Sequence, residues 1–207
     1  MNEWLIVVPK NSSLKSCREV VETLAKDEGI KNERVLEVRG EDVAFFVDKL
    51  AKQNKKVMGI TGEDLFREWQ LKNPSDSLDI IRRYEWRDKE AMFGKPVLSL
   101  LGPKGKKLED LSKNLKIAIS DKYTEISKHY LDLLEKEGYK FEKVYLSGSV
   151  ELAFLYGIAD IIIDIVYTGK SAEEVGLKCY NILFEADVVV IGKRESFIEI
   201  PKISIKK

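Results

Sequence analysis

Val57-Met58-Gly59-Ile60 runs into Thr61-Gly62-Glu63-Asp64 and then into Leu65-Phe66-Arg67-Glu68-Trp69-Gln70-Leu71. The short apolar run reads as a buried strand. The turn offers Thr61 as the cap of a helix from Leu65 to Leu71. A strand passing through a turn into a helix is half of a βαβ unit. Upstream, Trp4-Leu5-Ile6-Val7-Val8 before Pro9 reads as a second buried strand. Leu14 to Lys26 spaces Val20, Val21 and Leu24 as a helix that stops near Gly29, and Arg34 to Arg39 alternates as a strand. Asp42 to Ala51 puts Val43, Phe46, Val47 and Leu50 on one helical face. Strands and helices alternating in this way predict a mainly parallel sheet.

A second block repeats the alternation. Val97 to Leu101 is a strand, Gly102 to Lys107 a basic turn, and Leu115 to Ile119 a strand. Tyr123 to Glu137 is an amphipathic helix ending at Gly138, and Val144 to Leu146 is a strand entering Ser147-Gly148-Ser149. A short helix from Glu151 to Tyr156 then precedes a buried strand from Ala159 to Val166. Cys179 to Phe184, Val188 to Ile191 and Phe197 to Ile205 are β-rich. These late strands need a sheet to join, and the first block is the natural host. The expectation is two α/β lobes: residues 1–96 with 181–207, and residues 97–180. The default ligand site is a cleft between them.

Composition narrows the function. The 207 residues carry 35 basic and 35 acidic side chains, one histidine and a formal net charge of zero. A general nucleic-acid or membrane-surface binder shows a basic excess instead. No apolar run reaches the roughly 18 residues of a membrane span, and Met1 to Lys10 lacks a signal-peptide pattern, so a cytoplasmic protein is expected. Cys17 and Cys179 read as free thiols. A single histidine, His129, rules out a histidine-rich zinc site. It reads as a solvated helix residue, and Lys104, Lys106 and Lys107 as a solvated turn.

The chemistry is concentrated in Asp160-Ile161-Ile162-Ile163-Asp164-Ile165-Val166-Tyr167-Thr168-Gly169-Lys170-Ser171. Gly169-Lys170-Ser171 mimics the end of a Walker A loop, but that motif needs glycine at position 164, where aspartate stands. What remains is a buried strand carrying two acids, followed by a turn with two hydroxyls, a lysine and backbone N–H groups. Such a turn suits a phosphate. Ser171-Ala172-Glu173-Glu174 is a capping-box pattern that starts a helical turn at Ser171. Alternation places Asp160, Ile162 and Asp164 on one strand face. Two carboxylates there suit the hydroxyls of a phosphorylated ribose. The alternative is that Asp160 begins the strand, Asp164 is a pairing or capping acid, and the turn is a tight connection.

Gly157-Ile158-Ala159-Asp160 through Thr168-Gly169, then Gly176-Leu177, resembles the signature of ATP phosphoribosyltransferases. Gly148-Ser149-Val150-Glu151-Leu152-Ala153, Pro9-Lys10, Val38-Arg39 with Asp42-Val43, Gly59-Ile60-Thr61-Gly62-Glu63-Asp64 and Phe93-Gly94 resemble further elements of that family, in order. The chain departs from the pattern at Asn11-Ser12-Ser13, Phe154, Ser171-Ala172 and Val175.

The resemblance implies a two-lobed, type II periplasmic-binding-protein-like α/β fold with the ligand cleft between its lobes. It implies phosphoribosyl transfer from phosphoribosyl pyrophosphate to N1 of ATP, with Mg²⁺ present and pyrophosphate released, as the first step of histidine biosynthesis. Thr168, Gly169, Lys170 and Ser171 would hold the 5′-phosphate, and Asp160 and Asp164 would meet the ribose. Glu151 and Ser149 would form the neighbouring wall, with Lys10 near the pyrophosphate or ATP phosphates. Arg39, Gly62 and Glu63 would contact substrate. No residue is assigned to a metal. A short form without a regulatory domain, a homodimer and a separate synthetase-like regulatory subunit are also implied. The competing expectation is a non-catalytic paralogue that binds a phosphoribosyl or nucleotide ligand.

Overall fold

The computed structural model describes residues 4–10, 33–75 and 77–194. The helix expected at Leu14 to Lys26, the Asn11-Ser12-Ser13 segment, Cys17 and the strand expected at Phe197 to Ile205 lie outside them. In chain order the strands are β1 (Trp4–Pro9), β2 (Glu33–Val38), β3 (Val57–Gly62), β4 (Leu78–Tyr84), β5 (Val97–Pro103), β6 (Asn114–Ser120), β7 (Lys140–Leu146), β8 (Ile161–Val166), β9 (Leu177–Glu185) and β10 (Val188–Lys193). The α-helices are α1 (Val43–Lys52), α2 (Glu63–Lys72), α3 (Thr124–Lys136), α4 (Val150–Leu155) and α5 (Lys170–Glu174).

In the first unit the strand order is β2-β1-β3-β10-β4. β1 runs parallel to β2 and β3, whereas β10 is antiparallel to both β3 and β4. The sheet is therefore mixed rather than mainly parallel. Its antiparallel strand comes from the far end of the chain, which needs no crossover helix to enter in that direction. Every residue of β3 is buried, as its apolar run implies. Helix α1 lies tightly on it: a Cβ added to Gly59 would stand 2.7 Å from Val47 Cγ2 and 2.8 Å from Val43 Cγ1. Val43 and Val47 are fully buried, with Phe46 and Leu50 partly so, which matches the expected helical face. Thr61 does not cap a helix. It lies inside β3, with its hydroxyl 3.4 Å from Gly40 O, and α2 begins directly at Glu63.

In the second unit the order is β7-β6-β8-β5-β9. β6 is parallel to β7 and β8, while β5 is antiparallel to β8 and β9. The chain divides into Met1–Trp69, Asn73–Tyr84 and Val188–Lys207 on one side, and Gln70–Lys72 and Glu85–Asp187 on the other. The crossings thus fall at 84/85 and 187/188 instead of 96/97 and 180/181. The second moves because β9 pairs with β5 from Val97 through Pro103 and so stays in the second sheet. The first moves because residues 85–96 are fastened to the second unit, with Met92 N donating to Tyr167 O at 2.7 Å and Ala186 N to Pro96 O at 3.0 Å. Phe93-Gly94 accordingly follows the crossing. Among the described residues no helix is long and apolar enough to cross a membrane.

Candidate active site

Ligands of open α/β sheets sit beyond the carboxyl ends of parallel strands. In the second unit β6 and β8 run side by side in that sense, with Ile119 level with Ile163. Beyond β8 the chain turns through Thr168 and Gly169 into α5. Gly169 has φ +74°, a left-handed conformation that glycine adopts freely, and it is the cap residue of α5. The helix starts at Lys170, one residue before the expected Ser171, and the cap is a backbone one, with no side-chain hydrogen bond. Lys170 N approaches Thr168 Oγ1 at 3.4 Å, and Glu173 N donates to Gly169 O at 2.9 Å. Amides in the first turn of a helix have no intrahelical acceptor. Here they border an open concavity of about 260 Å³, lined by Asp164, Glu151 and the whole turn from Thr168 to Ser171.

Asp164 is the acid inside this concavity. Burial pushes its carboxyl up to about 6, helped by the charge of Glu151. The Ile165 N–H, 2.8 Å from Oδ1, the Lys122 charge and a hydrogen bond with Ser120 oppose the shift. A carboxyl poised near neutrality changes its charge when a ligand adds or removes nearby charge.

Asp160 is elsewhere. It precedes β8, accepts the Lys116 N–H on Oδ2 at 2.8 Å, and donates its own N–H to Lys116 O at 2.8 Å. It extends the β6–β8 ladder at the opposite end, about 13 Å from Asp164 along a strand. There it lines a different concavity, with Lys106, Ser112 and Asn114. The acid pair expected on one site is thus separated by the length of the strand. Glu151, in the first turn of α4, reaches the Asp164 concavity. Ser149 caps α4 with φ +50° and is exposed, and it does not line that concavity.

A segment beyond the motif holds the turn down. Tyr167 O–H donates to Asp88, whose Oδ1 also takes the Glu90 N–H at 2.8 Å. That bond pushes the Tyr167 phenol up to about 12 and holds the Asp88 carboxyl below its ordinary value. The Trp86 ring lies 6.5 Å from the Tyr167 ring. Asp187 Oδ1 in turn accepts Lys95 Nζ at 2.6 Å and Trp86 N at 3.1 Å.

The remaining expected residues belong to the first unit, again at carboxyl ends of parallel strands. Lys10 follows β1 and Arg39 follows β2; Pro9 is level with Val38, and Lys10 N donates to Val38 O at 2.7 Å. Both are exposed, side by side at the sheet end. Gly62 ends β3, where an added Cβ would meet the Asp64 carboxylate. Glu63 is buried, and its Oε1 is held by Arg83 Nη2 at 2.5 Å, with Arg67 Nε at 3.9 Å. That carboxylate is committed to the first unit's own framework rather than offered to a ligand.

Sequence reasoning missed Ser120 and Lys122, which act on Asp164, and Met92, which packs against Gly169. The signal for Ser120 is a hydroxyl closing the apolar strand Leu115 to Ile119, on the strand beside β8. Met92 has no local signal, since its place follows from a backbone bond to Tyr167.

The family model for ATP phosphoribosyltransferase matches residues 39–206. The ATP phosphoribosyltransferase of Caldicellulosiruptor saccharolyticus is 35% identical over 165 residues, covering 80% of this chain and 70% of that protein. That of Sulfurimonas denitrificans is 29% identical over 203 residues, covering 93% and 87%. Among solved structures, the ATP phosphoribosyl transferase (HisG:HisZ) complex from Thermotoga maritima superposes with TM-score 0.67 at 22% identity, over 95% of this chain and 90% of that one. The periplasmic aliphatic sulphonate binding protein SsuA from Escherichia coli does so with TM-score 0.63 at 15% identity, over 96% and 67%. Two mixed five-stranded sheets flanked by helices are the type II, periplasmic-binding-protein-like α/β fold that these structures share. With the Asp164 strand and the Thr168 to Ser171 turn inside the matched region, the chain belongs to the ATP phosphoribosyltransferase family.

Proposed function

We infer that this protein transfers the phosphoribosyl group of phosphoribosyl pyrophosphate to N1 of ATP and releases pyrophosphate, the first step of histidine biosynthesis. Family membership supports the reaction. The observation that carries the substrate assignment is one concavity lined by Asp164, Glu151 and the Thr168 to Ser171 turn. The 5′-phosphate takes the turn amides, the Thr168 and Ser171 hydroxyls and the Lys170 ammonium. Asp164 and Glu151 accept the ribose hydroxyls. Lys10 and Arg39 offer cations to the pyrophosphate or to the ATP phosphates.

The displacement at C1′ needs aligned reactants and a neutralised leaving group more than a strong base. A protein with one histidine is suited to that. Mg²⁺ is read as arriving with the pyrophosphate, held through substrate oxygens and water. The enzyme is further read as a cytoplasmic homodimer with a separate synthetase-like regulatory subunit. The similarity to a solved HisG:HisZ complex supports that last element.

The test is a Mg²⁺-dependent assay of phosphoribosyl pyrophosphate with ATP, following pyrophosphate release with and without a candidate regulatory protein. Turnover in either condition supports the reaction. Tight binding of both substrates with no turnover in either identifies the non-catalytic paralogue instead.

A further inference from the structure

Asp164 belongs to a row that crosses the second sheet. In the antiparallel pairing of β5 with β8, Ser99 is directly opposite Asp164. Directly opposed residues point to the same face. On the other side, β6 runs parallel to β8, with Ala118 level with Ile162 and Ile119 with Ile163. One residue further along, Ser120 is level with Asp164. Ala118, Ile162, Val97, Leu101 and Val166 share one core cluster with Val150 and Ala153 of α4. Alternation therefore places Ser99, Asp164 and Ser120 on the face that α4 covers. Three adjacent strands contribute a hydroxyl, a carboxyl and a hydroxyl in line.

The two hydroxyls differ. Ser120 is hydrogen-bonded to Asp164. Ser99 is fully buried, and among the described residues its Oγ has no hydrogen-bond partner. A buried hydroxyl without a partner is costly, and alanine would suit the surrounding Val97-Leu98 and Leu100-Leu101 run better. The register sets the Asp164 carboxyl directly across the strand pair on the same face, where Cβ atoms stand about 4.5–5.5 Å apart, so a side-chain rotation can bring the hydroxyl to it. We propose that Ser99 is a positioning residue for Asp164, its hydroxyl donating to the carboxylate whenever Asp164 ionises, so that β5 and β6 hold the acid from both sides.

The consequence for catalysis rests on the phosphoribosyl reading of the site. Other groups face Asp164 as well. From α4, Glu151 opposes ionisation; from the turn after β6, Lys122 favours it. Lys170 lines the same concavity. β5 brings no charged group between Val97 and Pro103, so Ser99 is its polar contribution at this level. A donor from Ser99 acts in the same sense as Lys122.

The test is the carboxyl titration of Asp164, followed by isotope-edited infrared or carbon NMR in the ligand-free protein, with Asp164→Asn to assign the signal. Ser99→Ala should raise the midpoint by about 0.5 pH, a threefold change in the ionisation equilibrium. Ser99→Thr, which keeps the hydroxyl, should restore it, and Ser99→Cys, a weak donor of similar size, should behave as the alanine variant. The cysteine variant also covers the case in which alanine fails to fold. In parallel, the acid limb of kcat/KM for phosphoribosyl pyrophosphate should move up in pH with the alanine variant, and the rise in KM should fade above pH 8. An unmoved titration, or an equal loss at every pH, overturns the proposal. If Asp164→Asn leaves substrate binding intact, the site reading fails, yet the ligand-free titration still decides the role of Ser99.

Discussion

Met92 occupies the space that a side chain on Gly169 would take: an added Cβ would stand 2.7 Å from the Met92 sulfur. Gly169 is also left-handed, with φ +74°. The exposed Met92 side chain can swing aside at little cost, so the lasting penalty of Gly169→Ala is the backbone one, about 1–2 kcal/mol. We expect affinity for phosphoribosyl pyrophosphate, measured by calorimetry, to fall by about tenfold. Adding Met92→Ala should leave that loss in place, because the strain lies in the backbone. Recovery of affinity in the double variant would show instead that the methionine presses on the turn.

Asp164→Asn should separate stability from function. The folded carboxyl is raised from 3.8 to about 6, so folding favours the protonated acid. The stability this represents is fully present below the unfolded value and is lost as pH rises through about 6. At pH 8 the ionised acid thus costs on the order of 3 kcal/mol, a cost the amide avoids. Urea unfolding should find the asparagine variant more stable at pH 8, with the gain shrinking to nothing near pH 4. The same variant should bind phosphoribosyl pyrophosphate more weakly.

Asp160→Ala should do the reverse. It removes the acceptor of the Lys116 N–H at an exposed strand end, so the loss of stability should stay near 1 kcal/mol or below. Substrate affinity should match the parent protein within about twofold, since the side chain lines another concavity. A collapse of affinity would return Asp160 to the ribose.

Arg83→Ala leaves the buried Glu63 with Arg67, 3.9 Å away, as its ion partner among the described residues. Because Arg83 is itself half exposed, the cost should be about 1–3 kcal/mol, less than for a fully buried pair. Glu63→Gln relieves the stranded charge, so it should recover stability in the Arg83→Ala background. A double-mutant cycle by chemical denaturation measures both.

The apolar runs of β3 and β8 were legible because burial on both faces leaves a continuous signal. β4 was not, since only Leu78 is buried and the rest of this edge strand is mixed. The turn after β8 was legible through Gly169, whose left-handed backbone lets the chain pass from strand to helix. Separating Asp160 from Asp164 was not possible from spacing, because alternation gives the same face whether or not the strand includes residue 160. The row from Ser99 to Ser120 depends on register between strands distant in sequence. The fastening of residues 85–96 depends on backbone bonds, which leave no mark on residue type.

The position of β10 between β3 and β4 has a consequence for biosynthesis of the chain itself. β4 meets its sheet through β10, so the first sheet stays open until residues 188–193 have been made. Every strand of the second sheet lies between Val97 and Glu185. As the chain emerges from the ribosome, the second unit has all its strands while the first still lacks one, and contacts closed over so long a loop form slowly. The second unit has its full set of described strands first, and the first unit waits for the last described strand.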